Sequence, residues 1–325
     1  VIRASTPRAI YFNDDTYVAW VPSAANLEIA SIDPVLGPVF HTVDQRAPAP
    51  RFDRQIEMCL ACHDSYSLTG GGVPRFMTGS GYTKPSGELV SHENWILTSH
   101  RTPLRSRWGG WFVTGRPAST AHLGNMPVGD PASLRDLERA RKGTLATLDG
   151  IVDTRPYATG TSDVVALLVL EHQITVQNAL VQASYEARGA LDRASRGDQA
   201  AASEARLEAI AQPLVEALFL AGEAPLPGPV AGASGFAEAF ASRGPRDAQG
   251  RSLRDLDLQR RLFRYPLSYL IYSPAFQALP EPFRRVVDAR IDAVLAGTNP
   301  GVRFAPLSAE DRAAIKAILT ARPAR

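Results

Sequence analysis

Both cysteines of this chain fall inside one short run, Cys59-Leu60-Ala61-Cys62-His63. That placement removes most ordinary uses of cysteine. A structural zinc site needs more thiolates, or a histidine pair at suitable spacing. A thioredoxin-like C-x-x-C sits at a strand-to-helix turn of a βαβ unit, and no such pattern surrounds these residues. A local Cys59–Cys62 disulfide is the remaining simple alternative. The histidine directly after the second cysteine argues for something more specific, because a disulfide makes no use of it.

C-x-x-C-H is the attachment signature of c-type haem. Two thiols add across the vinyl groups of the porphyrin, and two intervening residues let both sulfurs reach one porphyrin edge. The next residue then falls beneath the metal. On this reading Cys59 and Cys62 hold the cofactor, haem c, and His63 is the proximal iron ligand. Its second ring nitrogen is expected to donate to a backbone carbonyl, which fixes the tautomer.

The chain has 325 residues, 45% hydrophobic and 21% charged, with a formal net charge of +2. A core of useful size is therefore possible. The charge gives no electrostatic case for nucleic acid or for a polybasic membrane patch. No uninterrupted apolar run in the sequence approaches the roughly 18–20 residues of a membrane span. Val1-Ile2-Arg3 lacks the apolar core of a signal peptide, so a leader is expected to have been removed from an exported chain.

Along the chain, 16–45 reads as a small antiparallel meander. Its strands are Thr16–Val21, Leu27–Ile32 and Val39–Val43, punctuated by Pro22, Asp33-Pro34 and Gly37-Pro38. Residues 51–58 read as a short helix leading into the motif. Residues 64–131 are dense in Gly, Pro, Ser, Trp and His, and their aromatic content points to loops wrapped over the haem. Helices are expected over 132–142, 163–196 (capped by Thr161 or Ser162), 198–222, 253–263, 281–296 and 308–322. Val164–Val181 is apolar nearly all round, as a buried central helix would be. The expected fold class is mainly α, with a small N-terminal antiparallel β meander and a loop-rich haem-binding segment. The division is a β meander over 1–50, a haem-binding segment over 51–145 and a helical domain over 146–325, forming one continuous assembly.

The second axial position on the iron decides what such a haem does: Met raises the potential, His lowers it, and an open site allows small-molecule chemistry. Three residues are candidates. Met126 lies in Gly124-Asn125-Met126-Pro127. His100 lies in Leu97-Thr98-Ser99-His100-Arg101-Thr102-Pro103. His172 lies mid-helix in Leu170-Glu171-His172-Gln173, a polar triplet that is costly in an apolar helix unless it is paired. Arg107 and Trp108 are candidates for cofactor contacts, since arginine pairs bidentately with carboxylates such as haem propionates. His122 shares their region, and His92 beside Glu93 reads as a surface residue. Tyr265, Tyr269, Tyr272 and Phe276 would line one face of a helix, as core packing or as redox-active aromatics.

The C-x-x-C-H run and the later Met-Pro resemble small class I cytochromes c, although the intervening Gly/Trp-rich segment departs from that class. The motif, Ser106-Arg107-Trp108-Gly109-Gly110-Trp111-Phe112-Val113-Thr114-Gly115, the Val165–Gln173 helix and Arg264–Ser273 together resemble a poorly characterised group of exported bacterial monohaem proteins. The resemblance implies a periplasmic or otherwise extracytoplasmic location. The motif by itself supports electron transfer with a redox partner protein or complex, the commonest use of a single attached c-type haem. Two other readings stand beside that one: a haem-dependent oxidoreductase acting on peroxide, oxygen or a small nitrogen or sulfur compound, and a haem subunit of a larger redox complex. The length favours the enzyme, because a minimal carrier does not need about 300 residues. Walker A, G-x-G-x-x-G, H-E-x-x-H and G-x-S-x-G patterns are absent.

Overall fold

A computed structural model describes residues 2–90, 95–117, 120–126, 143–298 and 301–321. The N-terminal part is a five-stranded antiparallel sheet in sequence order. Its strands are β1 (Ala9–Phe12), β2 (Thr16–Trp20), β3 (Asn26–Asp33), β4 (Gly37–Asp44) and β5 (Asp53–Arg54). The β1–β2 turn is closed by Asn13, whose Oδ1 accepts from Asp15 N at 3.0 Å and Thr16 N at 2.7 Å. The β3–β4 turn is closed in the same way by Asp33, which accepts from Val35 and Leu36. Such short side-chain bridges are what Asn and Asp contribute to turns. Gly37 has φ of +76°, and a Cβ there would sit 2.8 Å from Val181. The turn therefore both needs glycine and presses directly on the central helix.

That helix, α3 (Val164–Ser195), has 32 residues, about 48 Å at 1.5 Å per residue. Asp163 caps it, accepting from Val165 N at 2.8 Å and Ala166 N at 3.3 Å; neither Thr161 nor Ser162 takes that role. Alone among the described helices, α3 is long and apolar enough to cross a membrane by length and composition, yet 78% of its most apolar window is buried within the protein. That is the behaviour of a core helix: the sheet presses on it through Gly37, and α4 (Glu204–Leu218) packs along it. The helices α5 (Phe236–Ala241), α6 (Pro274–Gln277), α7 (Glu281–Ala296) and α8 (Ala309–Thr320) complete the C-terminal part. One apolar cluster runs from Tyr17 in the sheet to Ile318 in α8.

The fold class differs from the mainly α expectation. Helix accounts for 36% and strand for 14%, so the molecule is a mixed α and β structure. Two expected helices do not form. Residues 51–58 instead continue the sheet: β5 pairs with β4, and Gln55 N donates to Phe40 O at 2.8 Å. Leu253–Phe263 is also not helical. Asp255 accepts from Ser252 N at 2.9 Å, and Asp257 accepts from Gln259 N and Arg260 N. These carboxylates capture the amides that a helix would have used, and Leu256 pairs with Phe263 in an isolated bridge. The tyrosine-rich segment is broken too. Ser268 caps a 3₁₀ turn over Tyr269–Tyr272, and Ser273 then caps α6, which Pro274 begins. The expected helix at 132–142 lies outside the described residues.

Candidate functional site

Cys59 leads directly into α1 (Leu60–His63), a single helical turn in which His63 N donates to Cys59 O at 2.9 Å. Both thiols are free, Cys59 half-buried and Cys62 exposed. Burial, followed by Glu28 and Cys62, pushes the Cys59 thiol up. That is the opposite of the lowered thiol of a thioredoxin-like attacking cysteine. The chain continues through α2 (Tyr66–Thr69) and returns at Arg75, whose N–H donates to His63 O at 2.9 Å.

The His63 ring is fixed from two sides. Its Nδ1 lies 2.7 Å from Arg75 O. A carbonyl can only accept, so Nδ1 carries the proton and Nε2 keeps the lone pair that a metal takes. This is the backbone contact expected from the motif. The Phe40 ring of β4 packs against the imidazole at a centroid distance of 4.4 Å. Burial holds the His63 ring below its usual value and therefore neutral, the form a metal ligand requires.

The segment behind His63 is pinned to α3. Asn178 accepts from Phe76 N at 2.9 Å and donates to Phe76 O at 2.9 Å, while Arg75 Nη2 bonds Gln182. Phe40, Phe76 and Tyr17 continue as a run of rings in edge-on and tilted contact into the core. Outside, the motif is flanked by exposed apolar side chains: Phe52, Ile56 and Met58 before it and Tyr66 after it, the last 87% exposed. Apolar groups grouped in this way mark a surface meant to be covered. Two free thiols in one turn, a neutral imidazole with its lone pair at Nε2 and an apolar surround together fit a covalently attached porphyrin.

Two of the three other ligand candidates are brought together, but away from Met126. His100 and His172 meet in the core, with their Nδ1 atoms 3.4 Å apart. His172 Nε2 lies 2.8 Å from Ser268 Oγ. His172 is six positions along α3 from Asn178, or about 9 Å of helix. Arg107 lies beside this pair. It donates from Nη1 to Glu171 Oε2 at 2.8 Å, from Nε to Thr102 O at 2.7 Å and from Nη2 to His100 O at 2.9 Å. Arg107 and Glu171 are each 3% exposed, so this guanidinium is committed inside the protein.

Burial pushes Glu171 up, against the pull of Arg107. Burial pushes His172 well down, and drives His100 down to about 3, with Arg101 and Arg107 adding to the effect. Both imidazoles are therefore neutral at ordinary pH. His100 Nε2 is buried without a hydrogen-bond partner among the described residues.

Trp108 is buried, at φ of +66°, with its ring edge-on to His122. The following glycine is required: a Cβ on Gly109 would lie 2.7 Å from Gly81 backbone atoms. Met126 belongs to a separate small cluster with Tyr82 and Val90; Pro127 and His92 lie outside the described residues. His122 is buried, with Nδ1 accepting from Gly124 N. Tyr269 donates to Gln173, which donates to Tyr17, which donates in turn to Gln177. These partners are neutral amides, so no base stands ready to take a phenol proton, and the tyrosines act as a core hydrogen-bond chain.

Sequence reasoning did not find Arg75, Phe40, Asn178 or Ser268 as partners. Only Glu171 carried a signal, as a carboxylate in an apolar helix. Among the described residues no group of three or more His, Cys, Asp or Glu is placed to hold a metal ion. No family model matches the chain, and no curated protein or solved structure matches it.

Proposed function

We propose that the protein is an exported c-type cytochrome, carrying one haem on Cys59 and Cys62 with His63 Nε2 as proximal ligand, and that it transfers electrons to or from a redox partner. The observation that carries this reading is the His63 ring: Nδ1 is spent on Arg75 O, and the imidazole stands next to two unpaired thiols. When bound, the group supplies a one-electron couple. The chain's residues do the rest. Arg75 O fixes the tautomer and Phe40 limits ring rotation. Asn178 and Gln182 hold the segment to the longest helix, which restricts movement when charge changes. Phe52, Ile56, Met58 and Tyr66 supply the apolar surround, and the exposed position of Cys62 leaves one side of the site open to a partner. Since haem is attached to c-type cytochromes outside the bacterial cytoplasm, the same reading implies export.

One observation favours a second reading, a haem-dependent oxidoreductase. His100 and His172 are held together in the core, and Met126 packs with Tyr82 and Val90. If none of them serves as a second ligand, a bound haem would be left open to a small molecule.

Expression with a c-type maturation system, followed by denaturing electrophoresis and haem staining, tests the shared premise. A stained band at the chain's size is expected, and a colourless band sinks both readings. Absorption spectra with and without carbon monoxide then separate them. A low-spin, unreactive haem supports the carrier, and carbon monoxide binding supports the enzyme.

A further inference from the structure

The sheet turns one charged residue toward the motif. Glu28 lies on β3 directly opposite Thr42 of β4. Thr42 is two positions from Phe40, so both side chains stand on the same face of the sheet. Phe40 is the residue whose ring packs on His63, at a centroid distance of 4.4 Å. Glu28 and Phe40 are therefore diagonal neighbours, about 7–8 Å apart on one face, and a glutamate side chain spans much of that gap.

The carboxylate acts on both ends of the motif. Burial has the largest effect on the Cys59 thiol and on the His63 imidazole, and Glu28 adds an upward push at each. Asp53 continues the row beyond Thr42, and Glu57 and Asp64 flank the motif in sequence. Among the described residues, Glu28 is the carboxylate that bears on both Cys59 and His63. Its own counter-charge is Arg8, whose Nη2 lies 3.3 Å from each carboxylate oxygen. The two side chains are 41% and 53% exposed for Arg8 and Glu28. A pair so open to water adds little to stability, so the fold itself has small need of it.

We propose that Glu28 sets the reduction potential of the haem site, with Arg8 opposing it. This deepens the haem reading and rests on it. Local charge is one of the levers a protein has on a haem potential. Reduction adds one electron, taken from a partner protein or a mediator, and lowers the charge of the site by one; no bond in the chain forms or breaks. The Glu28 carboxylate favours the oxidised site, which is the more positive, and the Arg8 guanidinium favours the reduced one.

The test is a mediated redox titration of the haem-loaded full chain at low ionic strength, followed by absorbance. Glu28→Gln should raise the reduced-to-oxidised ratio at a fixed ambient potential by about threefold, as an exposed charge allows, or roughly 30 mV at 59 mV per tenfold for one electron. Arg8→Gln should lower the ratio by about twofold, and the double variant should return close to the parent. Glu28→Asp keeps the charge and should stay near the parent. All shifts should shrink in about 1 M salt, and the melting temperatures should not move. A Glu28→Gln chain with the parent potential overturns the inference. So do shifts of the same sign in Glu28→Gln and Arg8→Gln, which would report altered packing and not charge. A parent chain that takes no haem removes the haem reading and this inference together, whereas a haem-loaded Glu28→Gln chain with an unmoved potential removes this inference alone.

Discussion

His63 and the His100–His172 pair are both packed against aromatic rings, and both are held neutral by burial. They differ in what their remaining nitrogens face. His63 gives one nitrogen to a carbonyl and keeps the other beside two thiols at the surface. His172 spends both nitrogens inside the protein, on Ser268 and His100. His100 has one nitrogen on its neighbour and the other enclosed. A histidine suited to a ligand is thus marked less by burial or a shifted proton affinity than by one tied nitrogen, one spare nitrogen and a route to it. The core pair meets the first two conditions in part and fails the third.

The comparison can be broken at several points. The largest expected effect is at the motif: Cys59→Ser with Cys62→Ser should abolish covalent haem staining while the chain still folds, since neither thiol has a partner. Staining that survives would undo the assignment. Next comes the core. Arg107→Met strands Glu171 in a dry setting and should cost about 3–5 kcal/mol, read as a lower urea midpoint. The double change Arg107→Met with Glu171→Leu should recover much of that loss. A third effect is on pH dependence. The unfolded histidines titrate near 6.5, and the folded pair does so well below. Their contribution is complete above that value and is lost as pH falls, down to about 3 for His100. The slope is at most about 1.4 kcal/mol per pH unit for each histidine. His100→Leu should therefore show a shallower acid loss of stability than the parent; equal slopes would mean that the pair is not held neutral by the fold. The smallest effect separates the two proposed readings: a change of spin state in one of His100→Leu, His172→Phe or Met126→Leu makes that residue the second ligand and supports the carrier, and an unchanged haem spectrum in all three supports the open-site enzyme.

Much of the geometry was legible in the sequence where local chemistry decides it. Val164–Val181 could only be a buried helix. Glu281–Ala296 begins and ends where its proline and glycine place it. Gly109, between Trp108 and Trp111, serves a close backbone approach to Gly81. The errors came where a local competitor or a distant partner wins. Asp255 and Asp257 turn a helix-like stretch into bridged turns. Strand β5 forms because β4 offers it an edge. His100 and His172, 72 positions apart, looked like separate ligand candidates because nothing local says that they meet. Arg107 likewise reads as available for propionates, because its partner Glu171 is 64 positions away in the sequence.

The clamp on the motif has a consequence for the order of events in maturation. Phe76 and Asn178 are 102 positions apart, and Arg75 and Gln182 are 107 apart. On a chain emerging from its N-terminus, the five residues of the motif are delivered long before the helix that fastens them. We therefore expect attachment to act on a loose substrate and folding to follow it. A chain stopped before α3 should still receive haem, and failure to label it would place fastening first. On the haem reading proposed above, the helix would work as a late latch, closing on a segment whose covalent chemistry is already finished.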